Sequence, residues 1–118
     1  MMPEHLRLGA LGEHLAVVYL RNHDYYILSG NYASSTGEID IIATGDGCLC
    51  FIEVKTRKAG GMLPPSYAVD AEKEENIKST AAYFRSKYKF DLPSRFDIVE
   101  VEIESDDKNV INHIKNAF

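Results

Sequence analysis

The stretch from Gly37 to Arg57 constrains the fold of this chain more than any other. It runs Gly37-Glu38-Ile39-Asp40-Ile41-Ile42-Ala43, then Gly45-Asp46-Gly47, then Leu49-Cys50-Phe51-Ile52-Glu53-Val54-Lys55-Thr56-Arg57. Two β-rich runs flank an Asp-Gly pair, the pairing favoured in a tight hairpin turn because glycine accepts positive φ, so an antiparallel hairpin is predicted. From Leu49 to Val54 the second run is apolar at odd and even positions alike, the pattern of a strand covered on both faces. Glu53 interrupts that pattern. An unpaired buried charge costs several kcal/mol even after relaxation, so Glu53 has to meet a cation, take up a proton or lie at a cleft.

Strand side chains alternate, which puts Glu53, Lys55 and Arg57 on one face and Glu38 and Asp40 on one face of the neighbouring strand. One register of the hairpin brings Asp40 and Glu53 together. Two converging carboxylates with a lysine nearby suit Mg²⁺ or Mn²⁺, hard cations held by carboxylate oxygens, with water and substrate phosphate completing the shell. Such an ion stabilises charge developing on a phosphate, and the adjacent ammonium can orient the attacking water. On residue types alone, an ordinary Asp/Glu/Lys salt-bridge cluster on a half-exposed hairpin accounts for the same residues.

Asp40 followed by Glu53-Val54-Lys55 resembles the PD-(D/E)xK signature of restriction-endonuclease-like nucleases, with Ile39 where the proline would stand. The longer strings GEIDIIA and FIEVKTR, the early Gly9, Gly12 and Glu13, and the terminal Asn116-Ala117-Phe118 are similar to the YraN-like family within that fold. The resemblance spans nearly the whole chain. It implies metal-dependent phosphodiester cleavage of DNA, on branched or otherwise structured substrates as in related junction-resolving nucleases. Carried over residue by residue, Asp40 and Glu53 are metal ligands, the backbone carbonyl of Val54 adds a third, and Lys55 positions or activates water. Glu13 and Glu38 are auxiliary candidates for the same shell, and Arg57 and Lys58 for phosphate contact. Where the family more often places an arginine, the connection before Gly37 supplies Ser34, Ser35 and Thr36. A non-catalytic nucleic-acid-binding or protein-interaction module on the same fold is the alternative. Related resolvases act as dimers, so a homodimer is part of what the resemblance implies.

At 118 residues the chain is read as a single domain, residues 1–118, with a core of its own. No apolar run approaches the length of a membrane span, and the N-terminal residues lack the pattern of a signal peptide, so no membrane partner and a cytoplasmic location are expected. Cys48 and Cys50, two apart on one strand, are expected to be reduced thiols, since a bridge there would be strained. The net charge of −5 argues against a strong non-specific grip on duplex DNA. Basic residues do cluster locally, at Lys55, Arg57 and Lys58 and at Arg85, Lys87 and Lys89.

Elsewhere the pattern predicts a helix over about 6–22, with Leu8, Leu11, Leu15 and Val18 as its apolar stripe. Gly9, Gly12, Glu13, Ala16 and Leu20 form an adjoining face of mostly small residues that permits close approach to a sheet. A strand is predicted over about 25–32. A second helix is predicted from Asp70, as N-cap, to Tyr88, with Ile77, Ala81, Phe84 and Tyr88 buried; Lys73 and Lys78 could reach phosphate but are read as solvated helix charges. A strand over 94–103 contains Arg95 and Asp97 as a structural pair, and 110–114 is a short strand or helix with His113 satisfied in the core. The loop from Lys58 to Pro65 leaves the strand that carries Glu53 and could close over a substrate. The order α, β, β, β, α, β gives an α/β fold with a central mixed sheet flanked by helices, which is also the three-layer restriction-endonuclease-like arrangement that the resemblance implies.

Overall fold

The computed structural model describes residues 2–61, 70–105 and 107–118. Helix α1 (Glu4–Asn22) leads into strands β1 (Tyr26–Ser34), β2 (Gly37–Gly45) and β3 (Cys48–Lys58). Helix α2 (Ala71–Lys87) then precedes β4 (Ser94–Ser105) and β5 (Lys108–Ile114). The five strands lie in sequence order in one sheet, antiparallel except for the β3–β4 pair. A parallel pair needs a crossover, and α2 lies within it.

The predicted hairpin forms about Asp46 and Gly47, which have φ of 54° and 72°, as the hairpin turn with two positive-φ residues requires. The C-terminal segment is a fifth strand rather than a helix. Val101 pairs with Ile111 and Val99 with His113, so the element order is αβββαββ and not the six-element order read from the sequence. The segment is too short for its apolar positions to distinguish the two periods, and pairing with β4 decides it.

Each face of the sheet carries one helix. On one side Ala16 and Leu20 of α1 pack with Ile41, Ala43, Cys50, Ile52, Val99 and Val101. On the other, Ile77, Ala81 and Phe84 of α2 pack with Ile39, Ile42, Leu49 and Phe51. The buried line of α1 is Gly12, Ala16 and Leu20, while Leu8, Leu11 and Leu15 flank it and Val18 is exposed. The small residues win the closest position because the helix lies almost on β3. A Cβ built at Gly12 would sit 1.9 Å from Thr56 Oγ1. Gly12→Ala is therefore expected to cost about 1–3 kcal/mol, as overpacking does, measured as a fall in the urea midpoint. Part of that loss should return when Thr56→Ala is added.

Helix α2 begins as predicted: Asp70 caps it by accepting from Lys73 N at 2.8 Å. Its buried set is Ile77, Thr80, Ala81 and Phe84, and Tyr88 is exposed, contrary to expectation. Thr80 replaces it because its hydroxyl meets those of Ser34 and Thr36 at 3.1 and 2.9 Å, fastening α2 to the β1–β2 turn. The region read as a lid after Gly61, Met62 to Pro65, lies outside the described residues, as do Ser66 to Val69. Among the described residues no helix is long and apolar enough to cross a membrane.

Candidate carboxylate–lysine site

The β2–β3 ladder ends at the pair Ile41–Ile52. One further step of that register sets Asp40 opposite Glu53. Alternation in β2 is interrupted here, since Ile41 belongs to the α1-side core and Ile39 to the α2-side core. The strand turns about its own axis as it parts from β3. Asp40 fills the gap: its Oδ2 accepts the Val54 N–H at 2.8 Å, a bond from a side chain where a ladder bond would otherwise run.

Glu53 and Lys55 lie on a central strand and are 6% and 7% exposed, so the acid in the apolar run is indeed buried. Its partners are cations. Glu53 Oε1 receives Lys55 Nζ at 3.4 Å and Lys73 Nζ at 2.6 Å. Lys73 was expected to be solvated, and the structure places it in the site instead.

These groups line a cleft of about 580 Å³ together with Glu13, Thr56, Arg57, Lys58, His5 and Gly61. Glu13 projects from α1, one residue after the close approach at Gly12. In the amide orientation that satisfies its neighbours, Asn31 Nδ2 donates to Glu13 Oε1 at 2.9 Å and to Glu38 Oε1 at 3.1 Å. Asn31 has φ of 52°, a left-handed conformation that asparagine tolerates better than most residues. The sequence reading did not single it out. The two expected phosphate contacts sit on the rim with acid partners: Arg57 pairs with Glu102 across the β3–β4 ladder, and Lys58 Nζ lies 3.3 Å from Glu4. The Lys58 pair is largely exposed, and such pairs contribute at most about 1 kcal/mol, so that ammonium is readily exchanged to another anion.

Burial sets the electrostatics of the cleft acids. Burial, then the negative charge of Glu53, raises Asp40 from its ordinary 3.8 to about 7, although the Val54 N–H opposes the shift. Burial raises Glu13 as well, and Glu38 and Glu53 add to it. Burial lowers Lys55, and the neighbouring Lys73 lowers it further against the pull of Glu53. Among the described residues no three His, Cys, Asp or Glu side chains gather closely enough to hold an ion by themselves.

A second ionic network lies near the hairpin turn. Asp97, fully buried, accepts from Arg95 Nε at 2.9 Å and Nη2 at 2.7 Å, and from Asn116 N at 3.0 Å. It also meets His113 Nε2 at 2.8 Å. Arg95 continues to Tyr25 and Asp46, and Asp46 to Lys115. The Arg95–Asp97 pair and His113 are thus structural, as the sequence suggested. Cys48 and Cys50 are free thiols, and burial pushes Cys50 up to about 12, so it is inert.

The fold and site define a small α/β protein whose sheet opens over buried carboxylates and two lysines. The chain belongs to the Uncharacterised protein family UPF0102, whose family model matches residues 12–101, a span that contains every acid and lysine of the cleft named above. It is 42% identical over 115 residues to a UPF0102 protein of Alkaliphilus oremlandii, covering 95% of this chain and 97% of that one. A UPF0102 protein of Porphyromonas gingivalis is 39% identical over 118 residues, 99% of this chain and 87% of its own. One from Geobacter metallireducens is 41% identical over 112 residues, 94% of this chain and 91% of its own.

Proposed function

We propose that the cleft hydrolyses phosphodiester bonds in DNA with Mg²⁺ or Mn²⁺, and that the fold is the restriction-endonuclease-like one that its PD-(D/E)xK-like motif resembles. The observation that carries this reading is the meeting of Asp40 and Glu53 where β2 and β3 part, with Asp40 raised to about 7 by burial and by Glu53. A divalent cation offsets both causes, restoring to the buried carboxylate the charge partner that water would supply and relieving its repulsion with Glu53.

The donor set fits such an ion. Asp40 and Glu53 offer hard oxygens and Val54 its carbonyl, and magnesium ordinarily takes one or two carboxylates and leaves the rest of its shell to water and phosphate. When bound, the ion supplies positive charge at the phosphate and makes a water more acidic. The chain's own groups do the rest. The Val54 N–H fixes the direction of the Asp40 carboxylate. Lys55, held by Glu53 and lowered by burial, stands nearer than an ordinary lysine to the range in which it exchanges a proton with the attacking water. Arg57 and Lys58 receive the flanking phosphates, and Glu13, steadied by Asn31, completes the acid side. An acidic protein with so small a basic rim suits structured DNA bound at low salt, and a two-fold branched substrate would match a homodimer.

One observation favours the second reading, a non-catalytic module: Glu53 is already held by two ammonium groups. A cleavage panel separates the two readings. Labelled single-stranded, duplex and branched DNA is incubated at low salt with Mg²⁺ or Mn²⁺. Nicking that requires the ion and vanishes in Asp40→Ala is the expected result. An inert protein across the whole panel would leave the module.

A further inference from the structure

We propose that Lys73 is a built-in counter-ion that occupies the place of the divalent cation at Glu53 and must leave before that cation can bind. The inference rests on the metal-dependent reading above and adds to it a residue outside the motif. Lys55 and Lys73 share the same oxygen, Glu53 Oε1, and Lys73 is the closer, at 2.6 Å against 3.4 Å. Their freedom differs. The side chain of Lys55 is 7% exposed and that of Lys73 is 42% exposed. Lys55 is enclosed on the central strand, whereas Lys73 reaches the cleft from the first turn of α2 with much of its side chain in solvent, which leaves it free to turn outward.

Its anchoring also points to exchange rather than to permanent neutralisation. Lys73 stands in the first turn of α2, where the oriented N–H groups repel a cation. Asp70, Glu72 and Glu74 of the same turn offset part of that repulsion, and the contact with Glu53 offsets more of it. A dication at Asp40 and Glu53 would remove the reason for Lys73 to point inward, and Asp40 would add a second ligand that the ammonium does not reach. The pair therefore acts as a threshold: Glu53 stays neutralised while the cleft is without an ion, and the affinity for the ion is lowered by the competition.

The test measures metal binding and needs no catalysis. Mn²⁺ is titrated into the full chain in the absence of DNA, and free Mn²⁺ is followed by electron paramagnetic resonance. Wild type is compared with Lys73→Gln, Lys73→Arg, Lys78→Gln and Asp40→Asn. Lys78 lies on the same helix with its ammonium 5.8 Å from the Phe96 ring, so its variant changes net charge equally without touching Glu53. Lys73→Gln is expected to bind Mn²⁺ roughly two- to fivefold more tightly than Lys78→Gln, the range set by losing one partly exposed competing ion pair. Lys73→Arg should stay near wild type, because it keeps the competitor. Equal affinities of Lys73→Gln and Lys78→Gln, or a weaker one for Lys73→Gln, would overturn the role of Lys73 while Mn²⁺ binding lost in Asp40→Asn would keep the metal site. Absence of Mn²⁺ binding in wild type and all variants would overturn both.

Discussion

On the proposed function, Asp40→Asn is expected to lower the rate of metal-dependent DNA cleavage by roughly 10²- to 10³-fold, the loss typical of removing one charge-stabilising group from a preorganised site, while making the metal-free protein more stable at neutral pH. Asparagine keeps an oxygen for the Val54 N–H, so the join between the two strands survives. What disappears is a carboxylate that the fold holds at about 7 instead of 3.8, chiefly through burial. Between those two values the folded chain binds a proton that the unfolded chain has lost, so stability falls as pH rises, and the penalty is complete above about 7. The variant has no such penalty. In chelator, its urea midpoint should exceed that of wild type at pH 8, and the difference should close toward pH 4. Added Mn²⁺ should raise the midpoint of wild type and leave the variant unmoved. A wild type as stable as the variant at pH 8 in chelator would mean that Asp40 is not the strained acid described here.

Asp97→Ala should produce the largest loss of stability. The carboxylate is fully buried and serves Arg95, His113 and the Asn116 N–H at once. Among the described residues no buried side-chain nitrogen or oxygen lacks a partner, and this substitution would create such orphans around a guanidinium. Breaking a buried ion pair by removing one partner costs about 3–5 kcal/mol, which for a chain of this size lowers Tm by about 10–20 °C. Burial alone would raise Asp97, yet His113, Arg95 and Asn116 together hold it at about 2. Its contribution is therefore present at neutral pH and is lost as pH falls from about 3.8 toward 2. Calorimetry from pH 7 to pH 2.5 should show wild type and variant converging at the acid end. On the proposed function, DNA cleavage at a temperature where both remain folded should be little changed, because Arg95, His113 and Asn116, the groups that Asp97 holds, do not line the cleft.

How much of this was legible beforehand depended on which physical effect decided each position. The Asp46-Gly47 turn was readable because few residues accept positive φ in succession, and Glu53 because a charge inside an apolar run demands an explanation. The α2 cap at Asp70 and the Arg95–Asp97 pair were readable for the same reason: local chemistry determined them. Lys73 was not, because its distance from Glu53 is set by the crossover between β3 and β4, and no spacing along the chain encodes that. Asn31 was hidden likewise, its role depending on acids from two other elements. Glu13 came into view only through family resemblance. Hydrophobic periodicity marked Val18 for burial, but closeness of approach decided, and the line of glycine and alanine took the position against the sheet.

The hydrogen that stands in place of a side chain at residue 12 has a mechanical consequence. With Thr56 filling the space where a methyl would be, α1 rests on β3 like a beam on its bearing. Glu13 is carried on that beam. Its carboxylate is therefore placed by the seat of α1, so the height of one wall of the cleft is set by a missing side chain one residue away.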